Sequence, residues 1–197
     1  MGSADPEFAT FYGLEIERPF FEAVQIAVGN RFYFTDAQLF GSATRTNVTI
    51  AAPVTSVSFS GGWSSAAAGS GFDVSGQQVS INAVDVEGNH GAGIQLNGTS
   101  RVVSVVGNKV RSNPIAISIA AGADQFTVVG NACFANARID NAAGKGGEPD
   151  RHRQHQMSVA DSLRDGRAGA MGRLGDRLIA GEAKPSSPAT TLAVMAA

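Results

Sequence analysis

The sequence predicts an all-β fold, a right-handed parallel β-helix, on three observations: a repeat, an alternation within it, and glycine and asparagine at fixed places in every copy. From Gly71 to Arg138 the segments GFDVSGQQVSINAVDVEGNHGA, GIQLNGTSRVVSVVGNKVRSNPI and AISIAAGADQFTVVGNACFANAR superimpose with at most a one-residue slip. A period of 22 to 24 residues marks a solenoid. One such unit cannot bury its own apolar side chains and must stack on a neighbour.

Each copy opens on a triplet that reads apolar, polar, apolar. Equivalent triplets place Val24/Ile26, Val48/Ile50, Phe72/Val74, Ile94/Leu96 and Ile117/Ile119 in one column, with Ile139 as a last member. A second column runs Val79/Ile81, Val103/Val105 and Phe126/Val128, and a third runs Val86, Val110 and Cys133. Because strand side chains alternate with period two, all of these point inwards while the residues between them face solvent. A rung therefore offers about three short strands. Leucine-rich repeats share the period but need a dense leucine consensus, and Leu96 is the one leucine among the triplet positions.

In chain order, Met1 to Phe8, MGSADPEF, reads as a cloning-derived segment and lacks the basic start and apolar run of a secretory signal. The aromatic stretch FYGLEIERPFFEAVQIAVGNRFYFTDAQLFGS is expected to form a rung and a half. A capping helix over Ile16 to Val28 is the alternative there, but Pro19 disfavours it. Residues 44–69 form a looser rung, with Val57 and Phe59 in the second column and Trp63 near the third. The body over residues 9–144 thus reads as four to five rungs of 22 to 24 residues.

From residue 145 the character changes. The segment to residue 197 is rich in Arg, Gly and Ala and has no rung. It holds eight of the chain's fifteen Lys and Arg against six of its seventeen Asp and Glu, which leaves it at +2 and the remainder at −4. Its weak helical spacing is interrupted by five glycines between residues 157 and 183, each costing about 1 kcal/mol in a helix. A disordered or marginally helical tail, non-native or a fragment end, is expected. His152 and His155 have a metal-like spacing but no partner cluster, so no metal is expected.

Composition narrows the partners. A net charge of −2 gives no reason to expect nucleic-acid binding, and the chain has no 18-residue apolar run for membrane insertion. Cys133 is the one cysteine, which excludes an intramolecular disulfide, and its column makes it a core residue.

Asn89, Asn113 and Asn136 recur at equivalent positions and are expected to bond to one another along the solenoid, a structural role. Asp85 and Glu87 align with Lys109 and Arg111 on the next rung, so opposite charges fall about 4.8 Å apart.

Two groups of residues are candidates for chemistry. Asp85 and Glu87 are two residues apart on one strand, about 7 Å between alpha carbons, a spacing compatible with an inverting glycosidase pair. Against that reading, a general acid must hold its proton near neutral pH, and the neighbouring cations favour the ionised form. The other group is the outward line of the triplets: Gln25, Thr49, Asp73, Gln95, Ser118 and Asp140. Such a polar strip suits an extended hydroxylated polymer, and equally a strand face that is simply solvated. Asp73 and Asp140 are three rungs apart, roughly 14 Å, too far for a carboxylate pair, though one of them alone remains a catalytic candidate. Trp63 reads either as a core filler or as a platform for a sugar ring.

The motifs VSVVGNKVRSN and FTVVGNACFANA, with their triplets, resemble the pectin-lyase-like right-handed β-helices, a group that includes pectate lyases, polygalacturonases, alginate epimerases and bacteriophage tailspikes. The resemblance covers residues 20–140 and is closest to tailspike and tail-fibre β-helices. It implies a homotrimer at a virion tail, or at a cell surface or secreted, that binds and in some members cleaves a surface polysaccharide. It implies no cofactor and carries over no catalytic residue. The clustered aspartates of polygalacturonases are missing, and Asp73 with Arg101 only slightly matches the pectate-lyase set. A lyase or epimerase acting on uronic acid polymers and a non-enzymatic adhesive solenoid are the alternatives.

Overall fold

The computed structural model describes residues 8–134, 138–143, 157–159 and 192–194. Among them every regular element is a strand, and all pairings are parallel. Each turn carries three strands. They are β1 (Ala9–Tyr12), β2 (Glu15–Glu17) and β3 (Val24–Ile26); β4 (Asn30–Thr35), β5 (Gln38–Phe40) and β6 (Val48–Ile50); β7 (Thr55–Ser60), β8 (Trp63–Ser65) and β9 (Phe72–Val74); β10 (Gln77–Asn82), β11 (Asp85–Glu87) and β12 (Ala92–Leu96); β13 (Arg101–Val106), β14 (Lys109–Arg111) and β15 (Ile115–Ile119); and β16 (Asp124–Phe134) with β17 (Arg138–Asn141).

Stacking these turns makes three faces. The first is β1-β4-β7-β10-β13-β16 and the second is β2-β5-β8-β11-β14-β16, joined through the long β16; the third is β3-β6-β9-β12-β15-β17. Two short strands lie further along the chain: β18 (Met157–Val159) beside β16 and β19 (Leu192–Val194) beside β3. The remainder of residues 145–197, including His152 and His155, lies outside the described residues.

The triplet columns stack as the alternation requires. Val24, Val48, Phe72, Ile94 and Ile117 are register partners, as are Ile26, Ile50, Val74, Leu96 and Ile119, and all ten are essentially inaccessible to solvent. Ile139 lies opposite Ile117. Cys133 departs from expectation: it pairs with Val110 but is only half-buried, because it stands on the last turn, where less chain covers it.

The helix has about six turns rather than four to five. The aromatic stretch supplies nearly all of the first turn and two of the three strands of the second, close to the rung and a half expected of it. There the second column is built from phenylalanine, not valine. Phe11 stacks on Phe34 at 4.7 Å and Phe34 on Phe59 at 4.4 Å, with interplanar angles of 10° and 2°, and Phe72 meets Phe59 edge-on. Each ring pair contributes about 0.5–1.5 kcal/mol beyond its buried area.

Three lines of left-handed backbone turn the chain at the same place in each rung. One is Gly13, Asp36, Gly61, Ala83, Gly107 and Gly130; the next is Arg18, Gly41, Ala66, Gly88 and Ser112. The third, Arg31, Ser56, Gln78, Val102 and Gln125, contains no glycine, although a left-handed conformation costs an ordinary residue roughly 1–2 kcal/mol.

Asparagines satisfy the turns from inside. Asn113 Oδ1 accepts from the Asn89 amide at 2.9 Å and from Asn89 Nδ2 at 3.0 Å, while Asn113 Nδ2 donates to the carbonyls of Val86 and Arg111. This is the expected ladder; Asn136 lies outside the described residues. A second ladder was not anticipated. Asn131 Oδ1 accepts from the Asn108 amide and from Asn108 Nδ2, both at 2.9 Å, and Asn108 Oδ1 accepts from the Val84 amide.

Candidate functional site

The outward position of the third face is the most regular surface feature. Gln25 pairs with Thr49, Thr49 with Asp73, Asp73 with Gln95, Gln95 with Ser118 and Ser118 with Asp140. All six predicted strip residues are thus brought into one unbroken line, each partly exposed. Six turns at the interstrand spacing give a strip about 24 Å long. The residue following each triplet is small in five of six turns, namely Ala27, Ala51, Ser75, Ala120 and Ala142, so the line is flanked by low relief.

The exception is Asn97. It joins the middle of the strip into a network: Gln95 Nε2 donates to Asn97 Oδ1 at 2.9 Å, and Asn97 Nδ2 donates to Ser75 Oγ at 2.9 Å and to an Asp73 carboxylate oxygen. The Asp73 carboxylate is thereby oriented by a neighbouring side chain. The hydroxyls of Thr49 and Ser118, by contrast, have no hydrogen-bond partner among the described residues and are free to donate or accept. Asp140 lies 3.9 Å from Arg138 at the end of the line. Arg101 is turned elsewhere, donating from Nη1 to the carbonyls of Gly98, Ser100 and Gly122.

The second face collects the remaining candidates. Trp63 stands on its outside, 38% exposed, with its ring edge against Phe40 at 5.5 Å, and it is the direct register partner of Asp85. The inward position beside it belongs to the fully buried Ser64. Asp85 and Glu87 pair with Lys109 and Arg111 as expected. Lys109 Nζ lies 3.1 Å from Asp85, and Arg111 reaches both acids, at 3.7 Å from Asp85 and 2.6 Å from Glu87. Asp85 Oδ1 and Arg111 Nε are buried and lack a hydrogen-bond partner among the described residues. Asp73 lies on the third face and Asp85 with Glu87 on the second, so the three candidate catalytic carboxylates are not brought into one site.

No protein-family model matches the chain, and no curated protein is significantly similar to it.

Among the described residues no helix is long and apolar enough to cross a membrane. Burial raises the Cys133 thiol above its ordinary pKa, which disfavours the reactive thiolate.

Sequence reasoning passed over one further line. On the first face the outward residues Thr10, Tyr33, Ser58, Ser80, Ser104 and Thr127 are successive register partners. The signal was present: each sits between two inward residues of the second column, as in Val79-Ser80-Ile81 and Val103-Ser104-Val105.

Proposed function

We propose that this protein is a glycan-recognising β-helix whose third face holds an extended, hydroxylated polymer along the line from Gln25 to Asp140. The observation that carries this reading is the unbroken register of six polar side chains flanked by small ones. A repeating ligand laid parallel to the axis meets a hydrogen-bonding group at each turn. Glutamine, threonine, serine and aspartate supply both donors and acceptors, which is what sugar hydroxyls require.

Binding rather than cleavage is the reading the geometry favours. Asp85 and Glu87 are engaged by Lys109 and Arg111, and on the strip Asp73 has no second carboxylate within the reach of a glycosidase pair. Two carboxylates on the strip also make it a poor surface for a polyanion, which weighs against uronic acid polymers. Assembly as a homotrimer, at a virion tail or on a cell surface, belongs to the same reading. It is supported by Phe20 and Phe21, an edge-on pair 63% and 49% exposed between β2 and β3, since exposed apolar groups of this kind mark contacts between proteins.

The test is an array of bacterial surface polysaccharides probed with the wild-type chain and with Gln95→Lys, accompanied by an assay for new reducing ends. Binding that the substitution abolishes, without release of reducing ends, is the expected result. Equal binding by the variant refutes the strip, and release of reducing ends refutes the non-catalytic reading. Light scattering reports the trimer.

A further inference from the structure

The first face differs chemically from the other two. Its outward column of Thr10, Tyr33, Ser58, Ser80, Ser104 and Thr127 carries a hydroxyl on every turn. The parallel outward column, Tyr12, Thr35, Ser60, Asn82, Val106 and Val129, is also uncharged. Neither contains a lysine, arginine, aspartate or glutamate; the charges of this face, Arg31, Arg101 and Asp124, stand at its strand starts, whereas the middle of the second face carries four paired charges and the outward line of the third carries Asp73 and Asp140. The hydroxyls are available. Ser80 Oγ accepts from Asn82 Nδ2 at 2.6 Å, but those of Ser58, Ser104 and Thr127 have no hydrogen-bond partner among the described residues.

At the N-terminal end of this face the hydroxyl column meets aromatic rings. Thr10 and Tyr12 share the outward parity of β1, and Tyr33 stands beside them on the next turn. Tyr12 is 77% exposed and Tyr33 38%. Exposed aromatic clusters are unusual on a protein surface and mark ligand or partner sites. Behind them the strands are held rigid by the stacked rings of Phe11, Phe34 and Phe59, so the platform is preorganised.

A sugar ring presents an apolar C–H face and an edge of hydroxyls. Aromatic rings take the first and a row of serine and threonine hydroxyls takes the second. Within these two columns a charged sugar would have to give up hydration with no opposite charge to receive it, since Arg31, Arg101 and Asp124 stand at the strand starts, outside both columns. Arg101, at the margin of the face, is already occupied by three backbone carbonyls.

We infer that the first face is a second carbohydrate-binding surface, separate from the strip, which takes an uncharged polysaccharide along the axis and stacks a sugar ring on Tyr12 and Tyr33. Affinity electrophoresis of the full chain tests this, in native gels cast with dextran, galactomannan or soluble starch and, for comparison, with alginate or polygalacturonate. Retardation by at least one neutral polymer is expected. The Tyr12→Ala/Tyr33→Ala variant loses about tenfold in affinity, the scale of one lost aromatic contact, and Ser104→Lys weakens retardation without touching the aromatic end. Gln95→Lys, on the third face, leaves this retardation unchanged, so failure here and failure of the strip are read separately. Circular dichroism confirms that the variants are folded. The inference is overturned if no neutral polymer retards the wild type, if both first-face variants are retarded as strongly as the wild type, or if the anionic polymers retard it more. It is also overturned if light scattering shows a dimer that the tyrosine substitutions dissociate, since the aromatic patch would then belong to a second copy.

Discussion

The inner asparagine ladders and the outer polar lines repeat at the same interval along the same axis, yet they differ in what their polar atoms do. Inside, Asn113 is 3% exposed and its carboxamide both accepts from Asn89 and donates to two carbonyls. Outside, Thr49, Ser58, Ser104 and Ser118 are partly exposed, and their hydroxyls have no partner among the described residues. Periodicity alone therefore does not separate scaffold from the proposed binding surface. Hydrogen-bond saturation does: a buried group left unpaired costs about 1–3 kcal/mol, while an exposed one is served by water until a ligand replaces it.

The comparison predicts a graded response to substitution. Asn113→Ala is expected to have the largest effect, about 2–4 kcal/mol, because it strands the buried Asn89 amide and takes a donor from the Val86 carbonyl in the interior. It would appear as a lower urea midpoint at unchanged slope, and a loss under 1 kcal/mol would show that water enters the turn. Gly93→Ala comes next, at about 1–3 kcal/mol: a Cβ there would lie 2.7 Å from the Ala116 carbonyl oxygen and 3.0 Å from Asn113 Nδ2, overpacking the same ladder. Thermal unfolding checks it. Lys109→Ala should cost no more than roughly 1 kcal/mol and less still in 1 M salt, since the lysine side chain of its contact with Asp85 is half-exposed. A larger, salt-insensitive loss would show that this pair behaves like the interior. Thr49→Ala marks the outer limit. Stability should stay within about 0.5 kcal/mol of wild type while retention by a polysaccharide falls, which separates binding from folding in one variant.

Much of this architecture is legible in the sequence because a solenoid writes its contacts at a fixed interval. The triplet columns, the Asn89 to Asn113 step and the opposition of Asp85 and Glu87 to Lys109 and Arg111 all follow from one alignment of the repeats. The strip from Gln25 to Asp140 follows from the same alignment. Other features were hidden for particular reasons. The phenylalanine column looks irregular against a valine template, so the stacking of Phe11, Phe34 and Phe59 was not legible. Asn108 and Asn131 stand in the repeated Val-Val-Gly-Asn motif, but the equivalent position one turn earlier is Val84, so the ladder has only two members in sequence. The left-handed line through Arg31, Ser56, Gln78, Val102 and Gln125 has no glycine to announce it.

By itself, then, the sequence determined the period, the inward residues and the register, because stacking one turn on the next is a nearest-neighbour problem that a repeat already solves. Only the tertiary structure decided how the separate outward lines are set about the axis and which of their polar atoms are left without partners. Those properties depend on where the backbone turns between strands. That angle is set by single residues in the left-handed region, several of which carry no signal of it in the sequence.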